Sequence, residues 1–401
     1  MPATRRGPDN PPMSAPTLHW TEGGQPRSAH WRSERGAPPP ARVLIADDTL
    51  PADSAYRLAC EGTALLWRGD FHQARHLLQA LARRIDRPPR RRLRAQRERE
   101  TAPAPGDPAA FHHHRQAQAQ RARVLAAVLI EFDAGYVVAL RRAPDLRAAC
   151  LAAWGPSDPG DGPGVVSLRE LQGVSSAHEW RRLGVPVPAL GGRIHPHYGV
   201  FSPLRGEYVQ LVADAPLPPL TDAGLAFDIG TGSGVLAALL ARRGVARVLA
   251  TDLDPRALAC AQENLTRLGL EARVTLASAD LFPPGAADLV VCNPPWLPAR
   301  PAAPIERAVY DEGGRMLAGF LAGLAAHLRP QGEGWLILSD LAEHLGLRSR
   351  AELLSMIERG GLQLRGRLDT RPLHAKASAA EDALRAARAA EITSLWRLAR
   401  A

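Results

Sequence analysis

The residues with the clearest chemical potential are Asn293, Pro294, Pro295 and Trp296, which follow an apolar run at 288–292. That run is typical of a short buried strand, so we expect these candidate catalytic residues at a strand end. The Asn293 side-chain oxygen and the Pro294 carbonyl can accept hydrogen bonds from a planar NH2 group, because neither proline has a backbone N–H. Trp296 offers a flat face to an amide or a nucleobase. The alternative is a proline-rich loop with Trp296 as a local lid.

A glycine-rich turn lies upstream, between a predicted strand at 225–229 and a predicted helix at 235–243. Glycines permit a tight turn and let a ligand approach bare backbone. The strand, turn and helix together predict a cofactor-binding crevice, with helix N–H groups pointing into it. The candidate cofactor-binding residues of the turn are Gly230, Thr231, Gly232 and Gly234.

The spacing of the glycines indicates which cofactor this crevice binds. A dinucleotide fingerprint requires G-x-G-x-x-G, but the third glycine here is Gly234 and Val235 follows it. Asp228 precedes the turn, and its carboxylate would repel a pyrophosphate and attract a cationic ligand. The electrostatics therefore favour S-adenosylmethionine, which carries a sulfonium and an amino group, over NAD.

Three further acids follow predicted strands or lie close to one. Asp252 ends the second strand, where a carboxylate can hold a ribose diol through two hydrogen bonds. Asp254 and Pro255 carry the signature of a helix N-terminus, so we assign the ribose to Asp252, with the reverse assignment as the alternative. Asp280, after the third strand, is a candidate acceptor for the adenine amino group, or else a solvated loop acid. Asn293, at the end of the fourth strand, also belongs to the predicted cofactor site.

The chain resembles class I S-adenosylmethionine-dependent methyltransferases of the "methyltransferase small domain" type over roughly residues 199–345. The resemblance rests on Asp-Ile-Gly-Thr-Gly-Ser-Gly at 228–234 and Asn-Pro-Pro-Trp at 293–296. It implies methylation of a planar amino nitrogen, as in bacterial N5-glutamine methyltransferases and in enzymes acting on exocyclic amines of nucleic acids. Asp311-Glu312-Gly313-Gly314 and Phe201–Tyr208 are similar to the glutamine branch, although Trp296 stands where that branch usually has Tyr. The implied partner is a glutamine-containing protein or RNA.

Such a transfer is an in-line displacement that needs no acid for its leaving group. We expect Asn293 and the Pro294 carbonyl to hold the acceptor N–H groups while Trp296 fixes its plane, so orientation and pre-placed dipoles supply the catalysis. The alternative function is a catalytically inactive methyltransferase fold that serves as an RNA or protein adaptor. An NAD-dependent oxidoreductase is disfavoured by Val235 and by the Asn-Pro-Pro-Trp sequence.

Composition limits the setting in which the chain works. No apolar run approaches the length of a membrane span, so we expect a cytoplasmic protein with no membrane partner; no oligomeric state is predicted. Four scattered cysteines without a C-x-x-C pair indicate a reducing compartment and no structural zinc. The histidines at 112–114 lie in a Gln/Ala/Arg tract that we interpret as flexible, and no metal site is predicted.

Charge gives weaker guidance. The formal net charge is +9 and Lys376 is the only lysine, a bias typical of GC-rich coding. The arginine-rich stretch 83–94 either contacts phosphates or forms a solvated linker, and the linker is favoured.

The predicted fold class is α/β, with a doubly wound, Rossmann-like methyltransferase sheet preceded by a smaller α/β or α+β module. The resemblance further implies that the last strand inserts antiparallel, after an Ala-rich excursion at 374–390. The predicted domains are a disordered Pro-rich tail at 1–40, a helical hairpin at 41–85, a basic flexible linker at 86–123, a substrate-recognition module at 124–214, and the methyltransferase domain at 215–401.

Overall fold

The computed structural model describes residues 16–86, 106–157, 162–203, 206–221, 224–372 and 384–401. The chain divides into two compact units, the first of residues 1–89 and 120–175, the second of residues 90–119 and 176–401. Within the described ranges, no helix combines the length and apolar character needed to cross a bilayer.

The first unit is built on a mixed six-stranded sheet with the strand order β1-β2-β6-β5-β4-β3. This confirms the prediction of a smaller α/β module before the methyltransferase sheet. Its elements are β1 Thr17–Glu22, β2 Gln25–Trp31, β3 Arg42–Ala46, α1 Ala52–Cys60, β4 Thr63–Trp67, α2 Phe71–Asp86, α3 Pro108–Leu125, β5 Val128–Phe132, α4 Arg147–Trp154, β6 Gly164–Ser167 and α5 Leu168–Leu183. The residues of α3 and of α5 are divided between the two units.

The prediction of disorder over residues 1–40 is wrong for 17–31, which form the antiparallel pair β1 and β2. Leu18 and Trp20 are buried and their neighbours are exposed, the period-two pattern of a half-buried strand. Gly23 and Gly24 both have positive φ, which suits the tight hairpin turn between the strands. The proline count obscured this alternation. Residues 1–15 lie outside the described residues.

The helical hairpin predicted for 41–85 is also wrong, although its two helices, α1 and α2, are present. The apolar residues of Thr63–Trp67, assigned to a helix from their spacing, form the buried strand β4. Because β3 pairs with β4 in parallel, this segment is a βαβ unit. A short apolar run cannot be assigned to helix or strand by periodicity alone.

The predicted boundaries at 86–123 and 124–214 do not match the two units. Residues 108–123, expected in a flexible linker with the histidines at 112–114, belong to the helix α3. The arginine-rich stretch 83–94, for which the sequence favours a solvated linker over phosphate contact, falls largely on residues 87–94, outside the described residues. Residues 120–175 join the first unit because β5 and β6 pair with β4 and β2, and residues 176–214 join the second.

The second unit contains the seven-stranded sheet of strand order β11-β10-β9-β12-β13-β15-β14. Its elements are β7 Val185–Val187, β8 Gly192–Ile194, α6 Glu207–Asp214, β9 Leu225–Ile229, α7 Val235–Arg242, β10 Arg247–Asp252, α8 Pro255–Arg267, β11 Val274–Ser278, β12 Ala287–Cys292, the 3-10 helix Pro304–Ala308, α9 Arg315–Leu324, β13 Leu328–Ser339, α10 Leu341–His344, α11 Arg350–Arg359, β14 Leu362–Thr370, α12 Arg385–Ala390 and β15 Thr393–Arg400.

Strands β9 to β13 run parallel, and β15 inserts antiparallel between β13 and β14. The predicted doubly wound fold class and the antiparallel last strand are therefore confirmed. The sequence order reverses between β9 and β12, and ligands of such sheets bind at this switch point, beyond the carboxyl ends of the strands. Most of the predicted excursion at 374–390 falls outside the described residues.

The core of this unit explains why the switch point is rigid. All six residues of β12 are buried, and so are Val235–Ala241 of α7. A helix that is apolar on every side must be covered on every side, and here the sheet and neighbouring helices cover it. The start of α7, directly after the glycine turn, is therefore fixed by packing.

Candidate functional site

The glycine turn joins β9 to α7 and is held in shape by the next strand. Gly230 N and Thr231 N both donate to the Thr251 carbonyl of β10, at 2.9 and 2.8 Å. The three glycines of the turn have φ of 72°, 55° and 80°, values that an L side chain adopts only with strain. A Cβ at Gly232 would meet nothing within 4 Å, whereas one at Gly234 would lie 3.1 Å from Ala261 Cβ on α8. Gly234 therefore allows close helix packing, while Gly232 leaves backbone open.

Asp228, predicted to contact the cofactor, lies beneath the turn. Its Oδ2 accepts hydrogen bonds from Thr231 Oγ1 at 2.7 Å and Ala237 N at 3.0 Å. Burial raises the pKa of this carboxyl to about 6, against the lowering effect of those two bonds. Among the described residues, those lining the cleft above the turn include Thr231 but not Asp228. The contacts give Asp228 the role of joining the turn to the first turn of α7.

Asp252 ends β10 and does line the cleft. Its Oδ2 accepts from Gly232 N at 3.0 Å, and its Oδ1 accepts from Asp254 N at 2.9 Å. Burial, with a smaller contribution from the neighbouring Asp254 carboxylate, raises the pKa of Asp252. Each oxygen keeps a further lone pair, so the carboxylate can accept two hydroxyl groups while its plane stays fixed.

The two remaining acids differ in their surroundings. Asp254 accepts from Arg256 N at 2.9 Å as the N-cap of α8, as predicted. Asp280 is exposed at the edge of the cleft, and Arg315 Nη1 donates to both of its oxygens at 3.0–3.1 Å. The role of Asp280 toward an adenine amino group stays a prediction.

Asn293 and Trp296 lie at the opposite side of the switch point, after β12. Trp296 Nε1 donates to Asn293 Oδ1 at 3.0 Å. Because an indole N–H only donates, the atom facing it must be the amide oxygen, which fixes the orientation of the Asn293 side chain. Asn293, Pro295 and Trp296 line the cleft, while Pro294 is buried and is not among the described residues that line it.

One cleft thus joins the two halves of the predicted site. It has a volume of about 930 Å³, enough for a nucleoside cofactor together with part of an acceptor. Besides the predicted residues, its lining includes Gly199–Phe201, Tyr208, Leu253, Arg256, Leu297, Arg307–Tyr310, Arg315, Met316, Leu341, Arg388 and Glu391.

Residues 220–338 match the family model of ribosomal protein L11 methyltransferase, PrmA. This segment contains the turn, Asp252, Asp280 and the Asn293–Trp296 motif. The predicted resemblance to S-adenosylmethionine-dependent methyltransferases is confirmed over these residues by this match and by the relatives described next.

Two curated relatives are both named methyltransferases. The release factor glutamine methyltransferase of Cereibacter sphaeroides is 36% identical over 149 residues, which are 34% of this chain and 51% of the relative. The ribosomal protein L11 methyltransferase of Symbiobacterium thermophilum is 37% identical over 145 residues, 29% of this chain and 44% of the relative. The chain spans about half the length of these relatives.

A solved ribosomal protein L11 methylase from Lactobacillus delbrueckii subsp. bulgaricus superposes with a TM-score of 0.34 and 21% identity. The alignment covers 50% of this chain and 81% of that one.

Several cleft residues carry no pattern that sequence reasoning could detect. Glu391 is 2% exposed, and Ser339 Oγ donates to its Oε1 at 2.8 Å. It reaches the cleft because β15 inserts beside β13, so that a residue 98 positions after Asn293 lies at the same sheet edge. Phe201 and Tyr208, the ends of the segment that is similar to the glutamine branch, line the cleft.

The segment that carries Gly199–Phe201 is attached to α8 by polar contacts. His197 Nε2 lies 2.7 Å from Glu263 Oε2, and His195 N donates to Asn264 Oδ1 at 2.7 Å. Desolvation lowers the pKa of His197, while Glu263 opposes that shift. These contacts place one wall of the cleft against the helix that begins at Asp254.

Proposed function

We propose that this chain is an S-adenosylmethionine-dependent N-methyltransferase that methylates a glutamine side-chain amide of a protein. The observation that carries the proposal is the shared cleft. A fixed carboxylate, Asp252, lies on one side, and a fixed amide oxygen, that of Asn293, lies on the other.

The donor side fits the cofactor. Asp252 can accept the ribose hydroxyls, and the backbone around Gly232 is open to the cleft. The α7 N-terminus and the exposed Leu253 complete this side. S-adenosylmethionine, when bound, supplies an electrophilic methyl group on a sulfonium.

The acceptor side needs to orient a weak nucleophile. An amide nitrogen shares its lone pair with its carbonyl, so hydrogen bonds that hold its N–H groups make attack more favourable. Asn293 Oδ1 has one acceptor position left after the bond from Trp296, and the Pro294 carbonyl is the proposed second acceptor. Trp296 fixes the orientation of the Asn293 side-chain amide and the plane of the acceptor amide. Orientation is worth several kcal/mol in such reactions, on the order of 7–11 in the best cases.

The charges of the cleft favour a protein acceptor over RNA. Binding of a polyanion requires an excess of positive charge along the contact surface. The cleft is instead balanced, and two of its arginines lie next to carboxylates, Arg315 beside Asp280 and Arg256 beside Asp254. Its charged lining residues are Asp252, Asp254, Asp280 and Glu391 against Arg256, Arg307, Arg315 and Arg388. The relatives named for a release factor and for ribosomal protein L11 support the same choice.

The test is methylation of a lysate from cells that lack the enzyme, using S-adenosylmethionine with a tritiated methyl group. The proposal predicts label that resists RNase, is lost on protease digestion, and appears as N5-methylglutamine after total enzymatic hydrolysis. Label removed by RNase would favour an exocyclic base amine of RNA. No label together with no heat of S-adenosylmethionine binding in calorimetry would favour an inactive adaptor.

A further inference from the structure

Arg115, on the first half of α3, contacts three points of the loop that follows the Asn293–Trp296 motif. Its Nη2 donates to the Arg300 carbonyl at 2.7 Å, and its Nη1 lies 3.2 Å from Glu306 Oε2. Its Cζ lies 4.1 Å from the centre of the Tyr310 ring, a cation–π distance. All four residues belong to the second unit.

The loop of residues 297–311 is closed at its base and lines the cleft. Leu297 N donates to the Val309 carbonyl at 3.1 Å, and Asp311 N donates to the Leu297 carbonyl at 2.9 Å. Leu297 and Arg307–Tyr310 line the cleft beside Trp296. Arg307 and Val309 are exposed there, so the loop presents a cation and an apolar side chain to whatever enters.

The loop packs near its ends, where Ala299 and Tyr310 contact a buried apolar cluster that includes Phe111 of α3. Its regular structure is the short 3-10 helix Pro304–Ala308, and Glu306 Oε2 also accepts from Ala302 N at 2.9 Å. Fixing the backbone of each residue costs conformational entropy, so a loop of this length needs external support. The planar fork of one guanidinium can bond a carbonyl and a carboxylate together, which a lysine ammonium cannot match.

We propose that Arg115 is a positioning residue for the acceptor, holding the 297–311 loop in the conformation that binds polypeptide around the methylated glutamine. The inference rests on the proposed function. The proposal gives the helix α3 a part in acceptor binding. The Arg115 side chain supports the 297–311 loop on the side away from the cleft, while Arg307 and Val309 line the cleft.

The test compares Arg115→Ala and Arg115→Lys with a matched control, Arg121→Ala. Arg121 lies on the same helix, and its described side-chain partner is Asp86, at 2.9 Å. S-adenosylmethionine binding is measured by calorimetry. Initial rates of tritiated-methyl transfer are measured against increasing concentrations of RNase-treated lysate protein. Trypsin cleavage after Arg307, which Ala308 follows, reports loop order independently of methyl transfer.

For Arg115→Ala we expect at least a tenfold faster cleavage after Arg307 and at least a fivefold higher half-saturating protein concentration. The cofactor Kd should stay within twofold of wild type. Arg115→Lys should recover only part of the loss, and Arg121→Ala should match wild type.

Unchanged cleavage and unchanged saturation in Arg115→Ala would overturn the proposal. A parallel loss of cofactor affinity and saturation would also overturn it, because that pattern indicates a general structural role. If wild type labels no protein, the proposed function fails; the cleavage rates then still decide whether Arg115 orders the loop.

Discussion

Trp296 Nε1 donates a hydrogen bond to Asn293 Oδ1 at 3.0 Å, so the aromatic residue of the motif orients its asparagine. A tyrosine or phenylalanine ring lacks an N–H at this position. The proposed catalytic amide is therefore held by its own motif, three residues further along the chain.

Trp296→Phe keeps an aromatic face and removes this donor. We expect methyl transfer to fall about tenfold, the effect of losing one hydrogen bond of ~1.4 kcal/mol. Cofactor affinity measured by calorimetry should be unchanged. Transfer at the wild-type rate would mean that the ring alone is sufficient.

Asn293→Ala removes the proposed acceptor of the substrate N–H. The expected loss is about a hundredfold or more in kcat, as for other pre-placed polar groups at a reacting centre, with little change in cofactor affinity. The tritiated-methyl assay measures it, and retained turnover would contradict the assignment.

Asp252→Asn tests the donor side. Removing the charge weakens two hydrogen bonds to ribose hydroxyls, so we expect cofactor affinity to drop roughly 10–100-fold. Asp254→Asn is the matched control, because asparagine also caps helices well. If Asp254→Asn weakens binding more than Asp252→Asn does, the ribose assignment is reversed.

Gly234→Ala and Gly244→Ala separate backbone strain from crowding. Both glycines have positive φ, of 80° and 96°, but a Cβ at Gly244 meets nothing within 4 Å. Strain alone should cost about 1–2 kcal/mol at either position. Gly234→Ala should cost about 1–3 kcal/mol more, because its Cβ presses on Ala261. Denaturant unfolding curves measure the difference, and equal losses would exclude crowding as the cause.

Glu170→Gln tests a buried acid of the first unit. Burial raises the pKa of Glu170 from 4.5 to about 7, although Glu34 N donates to its Oε1 at 3.1 Å. Because the folded pKa lies above the unfolded one, ionising this group as the pH rises through 7 destabilises the fold. Glutamine keeps the acceptor and removes the charge. The variant should gain on the order of 1 kcal/mol at pH 8.5, after allowing for solvent screening, and nothing at pH 4. Thermal unfolding at the two pH values checks this sign.

The second sheet was predictable because its strands and helices alternate and each is marked at its ends. Asp254 and Pro255 mark the start of α8, and Gly244 follows α7. The sheet of the first unit was not predictable in this way, since Leu65 and Leu66 fit helical spacing while lying in a buried strand. A local sequence pattern does not show that β4 has strand neighbours on both sides.

The same limit applies within the site. Asp252 and Asn293 could be found because one ends β10 and the other follows β12, so both lie at the carboxyl edge of the parallel strands. The role of Asp228 could not, because only the packed turn shows its carboxylate bonded to Thr231 and Ala237. Arg115 and Glu391 reach the cleft region through long-range packing, which leaves no local trace.

The end of β10 has two roles. Its Thr251 carbonyl receives two amides of the glycine turn, and its Asp252 carboxylate receives a third, from Gly232. The turn and the carboxylate are therefore energetically coupled. A substitution in one already disturbs the other. In a double variant, the loss of cofactor binding free energy should therefore be smaller than the sum of the losses caused by Gly232→Ala and by Asp252→Asn singly.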